Sequence, residues 1–187
     1  MSTVLRNSGA RWNALARWLH WSIALLVFVQ IPLGWLASTW ELSPAKLGLF
    51  AWHKSLGILV LALMVLRIVW RATHRPPPWP LAMGRGERRA ARLTHASLYL
   101  LLVLLPLTGW IVNDAAGVPF SIFRLVPLPS FVGPDEAVAD AVARVHHGLS
   151  LALVALLVLH VGAALRHQFV LRDGVLERML PSGRRAR

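Results

Sequence analysis

Four stretches of the chain are long, apolar and almost free of permanent charge. Three of them contain no Asp, Glu, Lys or Arg and lie between Arg17 and Glu41, between Arg92 and Asp114, and between Arg144 and Arg166. The other stretch runs from about Leu47 to Trp70 and contains only Lys54 and Arg67 as charged residues. A hydrocarbon core takes about 20 helical residues, and backbone groups exposed to lipid must bond within their own helix. These runs therefore predict four membrane-spanning helices.

We predict an all-α fold, an integral membrane four-helix bundle that forms a single domain over residues 1–187. The helices are expected at about residues 14–38, 46–73, 90–112 and 142–170. A water-soluble helical protein is excluded, because hydrophobic residues make up 56% of the chain and charged residues only 15%, too few to cover four such helices. A cleaved signal peptide is the alternative for the first run, but its apolar core is too long and no small-residue cleavage site is clear.

The positive charges indicate the orientation of the bundle. Fifteen of them flank one side of the predicted helices: Arg6, Arg11, Arg17, Arg71, Arg75, Arg85, Arg88, Arg89, Arg92, Arg166, Arg172, Arg178, Arg184, Arg185 and Arg187. The other side has four: Lys46, Lys54, Arg124 and Arg144. Since basic residues concentrate on the cytoplasmic side of membrane proteins, we expect both termini in the cytoplasm. The net charge of +12 is then a topology signal that also suits anionic lipid, and no nucleic-acid partner is expected.

Most of the eight histidines fall in or beside the apolar runs, where ionisable residues are rare and usually functional. His146 and His160 are 14 residues apart, so they share one helical face at a separation of about 21 Å along the axis. His147 points well away from that face and is interpreted as an interfacial polar residue. The expected topology places His20 at the depth of His160, and His53 at the depth of His146.

Two histidine pairs stacked across a four-helix bundle are what two b-type haems with bis-imidazole ligation require. We therefore expect His20 with His160 to ligate the iron of an inner haem, and His53 with His146 that of an outer haem. His95, at the inner level of the third helix, is an alternative to His20 as a ligand. The chain has no Cys, which excludes covalent haem attachment through thioethers and any iron–sulfur cluster.

Three basic residues lie near these histidines in the sequence pattern. Arg67 is 14 residues after His53, which places it on the same face at the inner level, where it pairs with a haem propionate or else extends to the interface. Lys54 and Arg144 lie beside the outer pair and suit outer propionates, an anionic donor or plain interfacial anchoring. Gly34, Gly57, Gly109 and Gly162 lie in or near the spans and allow either a porphyrin or another helix to approach closely.

The ordered set of motifs resembles the bacterial cytochrome b561 family over about Ala14–Pro181. The matching runs are Arg-Trp-Leu-His-Trp at 17–21, His-Lys-Ser-Leu-Gly at 53–57 followed by Arg67, Arg-Pro-Pro-Pro at 75–78, Leu-Pro-Leu-Thr-Gly-Trp at 105–110, and the series His146, His160 and His167. This resemblance implies a di-haem b cytochrome of the bacterial inner membrane that exchanges electrons with quinone. Some relatives oxidise superoxide and reduce ubiquinone.

We accordingly interpret the chain as a transmembrane electron carrier and oxidoreductase of the respiratory-chain type. The outer haem takes an electron from a periplasmic donor, such as superoxide, and the inner haem passes it to ubiquinone. His95 and His167 are candidates for donating a proton or a hydrogen bond to the quinone. Two alternatives remain open: a cytochrome b membrane-anchor subunit of a hydrogenase or dehydrogenase, and a haem-free transporter or proton relay. The sequence leaves the oligomeric state undetermined.

Overall fold

The computed structural model describes residues 11–80 and 83–180 of the chain. Four long helices dominate these residues: α1 (Ala14–Thr39), α2 (Pro44–Thr73), α3 (Arg85–Ala115) and α4 (Glu136–Arg166). A single π-helical turn, His167–Leu171, continues α4, and a short 3-10 turn, Leu176–Arg178, follows it. Four of the arginines used to orient the bundle, Arg6, Arg184, Arg185 and Arg187, lie outside the described residues.

Three of the four long helices begin at a residue whose side chain satisfies a free backbone N–H of the first turn. The side chains of Asn13, Ser43 and Asp135 accept hydrogen bonds from the first turns of α1, α2 and α4. α3 begins after Gly84, whose backbone N–H donates to the Glu87 carboxylate at 3.2 Å. α3 and α4 therefore begin five and six residues before the positions expected from the sequence, because capped, charged first turns precede the apolar runs.

Successive helices run antiparallel and pack as two pairs. α1 packs against α2, α3 packs against α4, and α2 joins the two pairs by its contact with α3. The core between them contains Ile23, Val27, Val60, Met64, Leu98, Leu101, Leu105 and Leu153. Many of the large apolar side chains of the described residues are exposed instead, including Leu25, Phe28 and Leu159.

All four helices are long and apolar enough to cross a membrane, and at most 17% of the most hydropathic window of each is buried. Outward-facing tryptophans include Trp18, Trp35 and Trp52, each more than half exposed. Such surfaces are stable only against lipid. The described chain is an all-α four-helix membrane bundle, which confirms the predicted fold class.

The connection between α3 and α4 contains a feature that the sequence did not predict, a two-stranded antiparallel ladder. Its strands are β1 (Ser121–Ile122) and β2 (Val126–Pro127). The backbone N–H of Phe123 donates to the buried hydroxyl of Ser55 on α2 at 2.9 Å. We call the end of the bundle that carries this ladder the hairpin end. The opposite end, where α1 and α3 begin and α2 and α4 finish, is called the basic end.

Candidate functional site

At the basic end, the structure brings together histidines from α1, α3 and α4. The ring centroids of His20 and His160 are 6.3 Å apart and their planes are nearly perpendicular, at 82°. His95 also contacts this pair, with its ring centroid 5.4 Å from that of His160. His95 therefore lies at the depth of this pair, which is where the sequence places it as an alternative to His20.

At the hairpin end, a second pair joins α2 to α4 with almost the same geometry. The ring centroids of His53 and His146 are 6.4 Å apart and their planes meet at 79°. His147, the neighbour of His146, is exposed. One face of α4 therefore carries a member of each pair, His146 and His160, as their 14-residue spacing indicates.

The spacing within both pairs fits a haem iron. A ring nitrogen lies about 1.1 Å from the centroid of its imidazole and about 2.0 Å from a ligated first-row metal, so two imidazoles on opposite sides of one metal have centroids about 6.2 Å apart. Among residues 11–80 and 83–180, no group of three or more His, Asp or Glu side chains could hold a metal ion. A metal ion at either pair would therefore have at most two ligands from these side-chain types, and the four nitrogens of a porphyrin could supply the others.

The ring of His53 packs closely against α1. A Cβ atom built on Gly34 would lie 2.7 Å from His53 Cε1 and 3.1 Å from its Nδ1, which shows how closely the ring approaches that backbone. The Gln30 side chain donates to the His53 carbonyl oxygen at 2.9 Å. The ring Nδ1 of His53 is buried without a hydrogen-bond partner. The absence of a side chain at residue 34 is therefore what admits the imidazole.

The ring of His146 packs against α3 instead. Its Nδ1 lies 2.9 Å from the Thr108 hydroxyl oxygen, and that hydroxyl also lies 2.9 Å from the Leu105 carbonyl oxygen. A Cβ atom on Gly109 would lie 3.3 Å from His146 Cε1. Each histidine at the hairpin end thus packs against a helical glycine, whereas Gly162 has no neighbour that a Cβ atom would meet.

Arg67 lies at the basic end, as its spacing from His53 predicts. Its Nε–H donates to the Tyr99 hydroxyl at 2.9 Å, and one terminal nitrogen donates to the Ala16 carbonyl oxygen at 3.0 Å. Arg71, one turn later, lies over the rings of both Trp12 and Tyr99. The remaining guanidinium donors of Arg67 are available to an anionic group.

The two basic residues beside the pair at the hairpin end differ in exposure. The Lys54 ammonium donates to the Asn113 side-chain oxygen, and it lies 5.8 Å and 5.7 Å from the ring centroids of Phe50 and Phe120. Arg144 is exposed. Lys54 is therefore a partly buried cation that links α2 to α3, whereas Arg144 lies on the surface of the protein.

His167 lies in the π-helical turn that ends α4, and it is almost completely buried, at 6% exposure. Its Nδ1 lies 2.6 Å from a carboxylate oxygen of Asp173. π-helical turns often occur at functional sites. The structure thus gives His167 a carboxylate partner.

Comparison with known proteins identifies the family of this chain. A family model described as prokaryotic cytochrome b561 matches residues 11–182. The chain belongs to the prokaryotic cytochrome b561 family. It is therefore a multi-pass protein of the bacterial inner membrane that transfers electrons by means of b-type haem, as the sequence predicted.

Relatives of this cytochrome match over nearly its full length. It is 34% identical over 181 residues to "Cytochrome b561 homolog 2" of Escherichia coli (strain K12), covering 93% of each chain. It is 27% identical over 175 residues to "Cytochrome b561 homolog 1" of the same organism, covering 91% of this chain and 97% of the relative. It is 30% identical over 184 residues to a Yersinia pestis protein named "Probable superoxide oxidase CybB", covering 93% of this chain and 98% of the relative.

Several side chains around the cytochrome's histidines were not found by sequence reasoning. They are Gln30, Tyr99, Thr108, Asn113 and Asp173, and each is a polar residue whose partner comes from another helix or a turn. A polar residue inside an apolar run is a usable signal, since it must find a partner in the membrane. Gln30, Tyr99 and Thr108 carry that signal, but the sequence does not say which partner each one meets.

Proposed function

We propose that this cytochrome holds two b-type haems and carries electrons between a donor at the hairpin end and quinone at the basic end. His20 and His160 are the proposed ligands of one haem, and His53 and His146 those of the other. The observations that carry this proposal are the centroid separations of the two pairs, 6.3 Å and 6.4 Å, each of which would leave room for a haem iron that the two imidazoles could hold. When bound, haem supplies the one-electron chemistry that the protein lacks.

The proposed direction depends on the orientation of the bundle. Among the described residues, the basic end carries most of the Lys and Arg residues. By the positive-inside rule this end faces the cytoplasm, together with both termini. The hairpin end then faces the periplasm, and the two pairs lie on opposite sides of the membrane midplane.

The basic end is the proposed site of quinone reduction. Reduction of a quinone to the quinol takes up two electrons and two protons, so hydrogen-bond donors and proton donors must lie close to it. His95 lies beside the His160 ring, and His167 with its partner Asp173 lies just beyond the end of α4. Arg67 contributes a cation on the same side of the bundle. The proposed substrate is ubiquinone.

The proposed donor at the hairpin end is a small anion, and superoxide fits that description. Superoxide gives up one electron and becomes O₂, so the donor itself needs no proton at this end. The relative from Yersinia pestis carries the name of a superoxide oxidase, which supports this donor class here. Arg144 is exposed and can attract an anion. The Lys54 ammonium is instead held in place between aromatic rings.

Stopped-flow absorption spectra of a His53→Leu variant test this proposal. The variant should lose the haem at the hairpin end and lose reduction by superoxide, while quinol still reduces the haem at the basic end. A His147→Leu variant is the matched control, because His147 is exposed beside His146, and it should behave as the native protein does. Reduction of the remaining haem in the His53 variant by superoxide at the native rate would overturn the proposed entry side.

A further inference from the structure

Thr108 occupies an unusual position among the residues that contact the histidine pairs. It lies inside α3, directly before Gly109, and its hydroxyl oxygen is 2.9 Å from the carbonyl oxygen of Leu105, three residues earlier. The same oxygen is 2.9 Å from Nδ1 of His146 on α4. One hydroxyl therefore links a backbone carbonyl of one helix to the imidazole of another.

The chemistry of these three groups determines where the protons lie. The Leu105 carbonyl can only accept, so the single hydroxyl proton of Thr108 is donated to it. The Thr108 oxygen must then accept from His146, whose Nδ1 carries a hydrogen. A neutral imidazole has one N–H, so Nε2 of His146 keeps its lone pair for a metal.

His53, the other member of this pair, has no such partner. Its Nδ1 is buried without a hydrogen bond, and Gln30 donates to its backbone carbonyl rather than to its ring. Both imidazoles at the hairpin end pack against a helical glycine, but within the described residues a hydroxyl contacts the ring of His146 and none contacts that of His53. Any effect of the Thr108 hydroxyl on a bound haem therefore acts through His146.

We propose that Thr108 is a positioning residue that fixes the tautomer of His146 and lowers the reduction potential of the haem at the hairpin end. The proposal rests on the proposed function, in which His146 ligates that haem. A hydrogen bond from Nδ1–H to an acceptor makes a ligating imidazole a stronger electron donor, which stabilises the ferric state. The chain continues to the Leu105 carbonyl, and successive hydrogen bonds polarise one another.

Two variants separate the hydroxyl from the shape of the side chain. Thr108→Val keeps the volume and the β-branch but removes the acceptor, whereas Thr108→Ser keeps the hydroxyl. Redox titration should show the potential of the hairpin-end haem rising in the valine variant by about 59 mV, equivalent to a tenfold change in the ratio of reduced to oxidised haem. The serine variant should titrate as the native protein does, and the electron paramagnetic resonance of the ferric haem should shift in the valine variant alone.

The chain offers a matched control at the other end of the bundle. The Thr73 hydroxyl also lies 2.9 Å from a histidine Nδ1, that of His74, but His74 belongs to neither pair and stacks on Trp70 instead. Thr73→Val removes the same kind of contact and should leave both haem potentials unchanged. The haem at the basic end serves as an internal reference in every sample.

The outcomes distinguish the proposal from the function on which it rests. A native potential in Thr108→Val, or an equal shift in Thr108→Ser, would contradict the role of the hydroxyl. If Thr108→Val loses its haem, retention of haem at the native potential in Thr108→Ser supports the proposal, and loss in both variants contradicts it. The proposed function itself is tested separately by His146→Ala: full haem content in that variant would show that His146 is not a ligand.

Discussion

Gly34→Ala should weaken the binding of the haem at the hairpin end, although it adds only a single methyl group. The new Cβ atom would lie 2.7 Å from His53 Cε1, 3.1 Å from Nδ1 and 3.5 Å from Nε2, whereas ordinary contacts begin at 3.4 Å. To restore such a contact, the ring or the helix must move by about 0.7 Å, which exceeds the tolerance of about 0.5 Å within which metal ligands are held. His53 cannot make this movement and keep its position opposite His146.

The substitution has two expected effects, one on haem affinity and one on the stability of the helix. Mutation of a residue that supports a metal ligand typically costs 10- to 100-fold in metal affinity, and we expect a loss of haem affinity in this range. Replacement of a helical Gly by Ala at the same time favours the helix by about 0.5–1 kcal/mol. The protein should therefore insert and accumulate normally while it loses haem from one end.

The assay is haem content per chain, measured by pyridine haemochrome on protein purified from membranes, together with reduced-minus-oxidised spectra. Gly109→Ala provides a graded comparison, because its Cβ atom would lie 3.3 Å from His146 Cε1, and it should lose less haem. Gly148→Ala is the control, since nothing lies within 4 Å of its Cβ atom. Full haem content in Gly34→Ala, or equal loss in all three variants, would refute the steric reasoning.

Three further predictions concern other contacts in the bundle. His146→Ala should lose the haem at the hairpin end while His147→Ala keeps both haems, and the opposite pattern in haem content would reverse the assignment on α4. Arg67→Met removes a cation from the basic end, which should lower the potential of the haem there in a redox titration; an unchanged potential would contradict this electrostatic role. Ser55→Ala removes the hydrogen bond from Phe123, worth about 1 kcal/mol, so exchange of the Phe123 amide hydrogen should accelerate about fivefold, and native exchange would show that other contacts hold the ladder.

The fold was predictable because a membrane imposes simple rules on a sequence. Runs of about 20 apolar residues must become helices, and the four runs here became α1–α4. The predicted first residues of α3 and α4 were less accurate, because the charged first turns of these helices precede the apolar part. The β1–β2 ladder could not be foreseen, since its docking depends on one hydroxyl, Ser55, that meets the loop only in the folded chain.

The histidine geometry was predictable to the level of pairs. Helical periodicity places His146 and His160 on one face, and antiparallel topology matches their depths with His53 and His20. The third ring at the basic end, His95, was left open by the sequence, and the structure places it beside His160. Partners such as Thr108 and Asp173 depend on side-chain reach between helices or within a turn, which periodicity does not describe.

The ratio of haem to protein tests the central claim most directly. The protein purified from bacterial membranes in mild detergent should contain two b haems per chain by pyridine haemochrome and quantitative amino-acid analysis. Both should be low-spin in the oxidised and reduced states, because each iron has two imidazole ligands. One haem per chain, or a high-spin spectrum in the intact protein, would contradict the assignment of two bis-histidine sites.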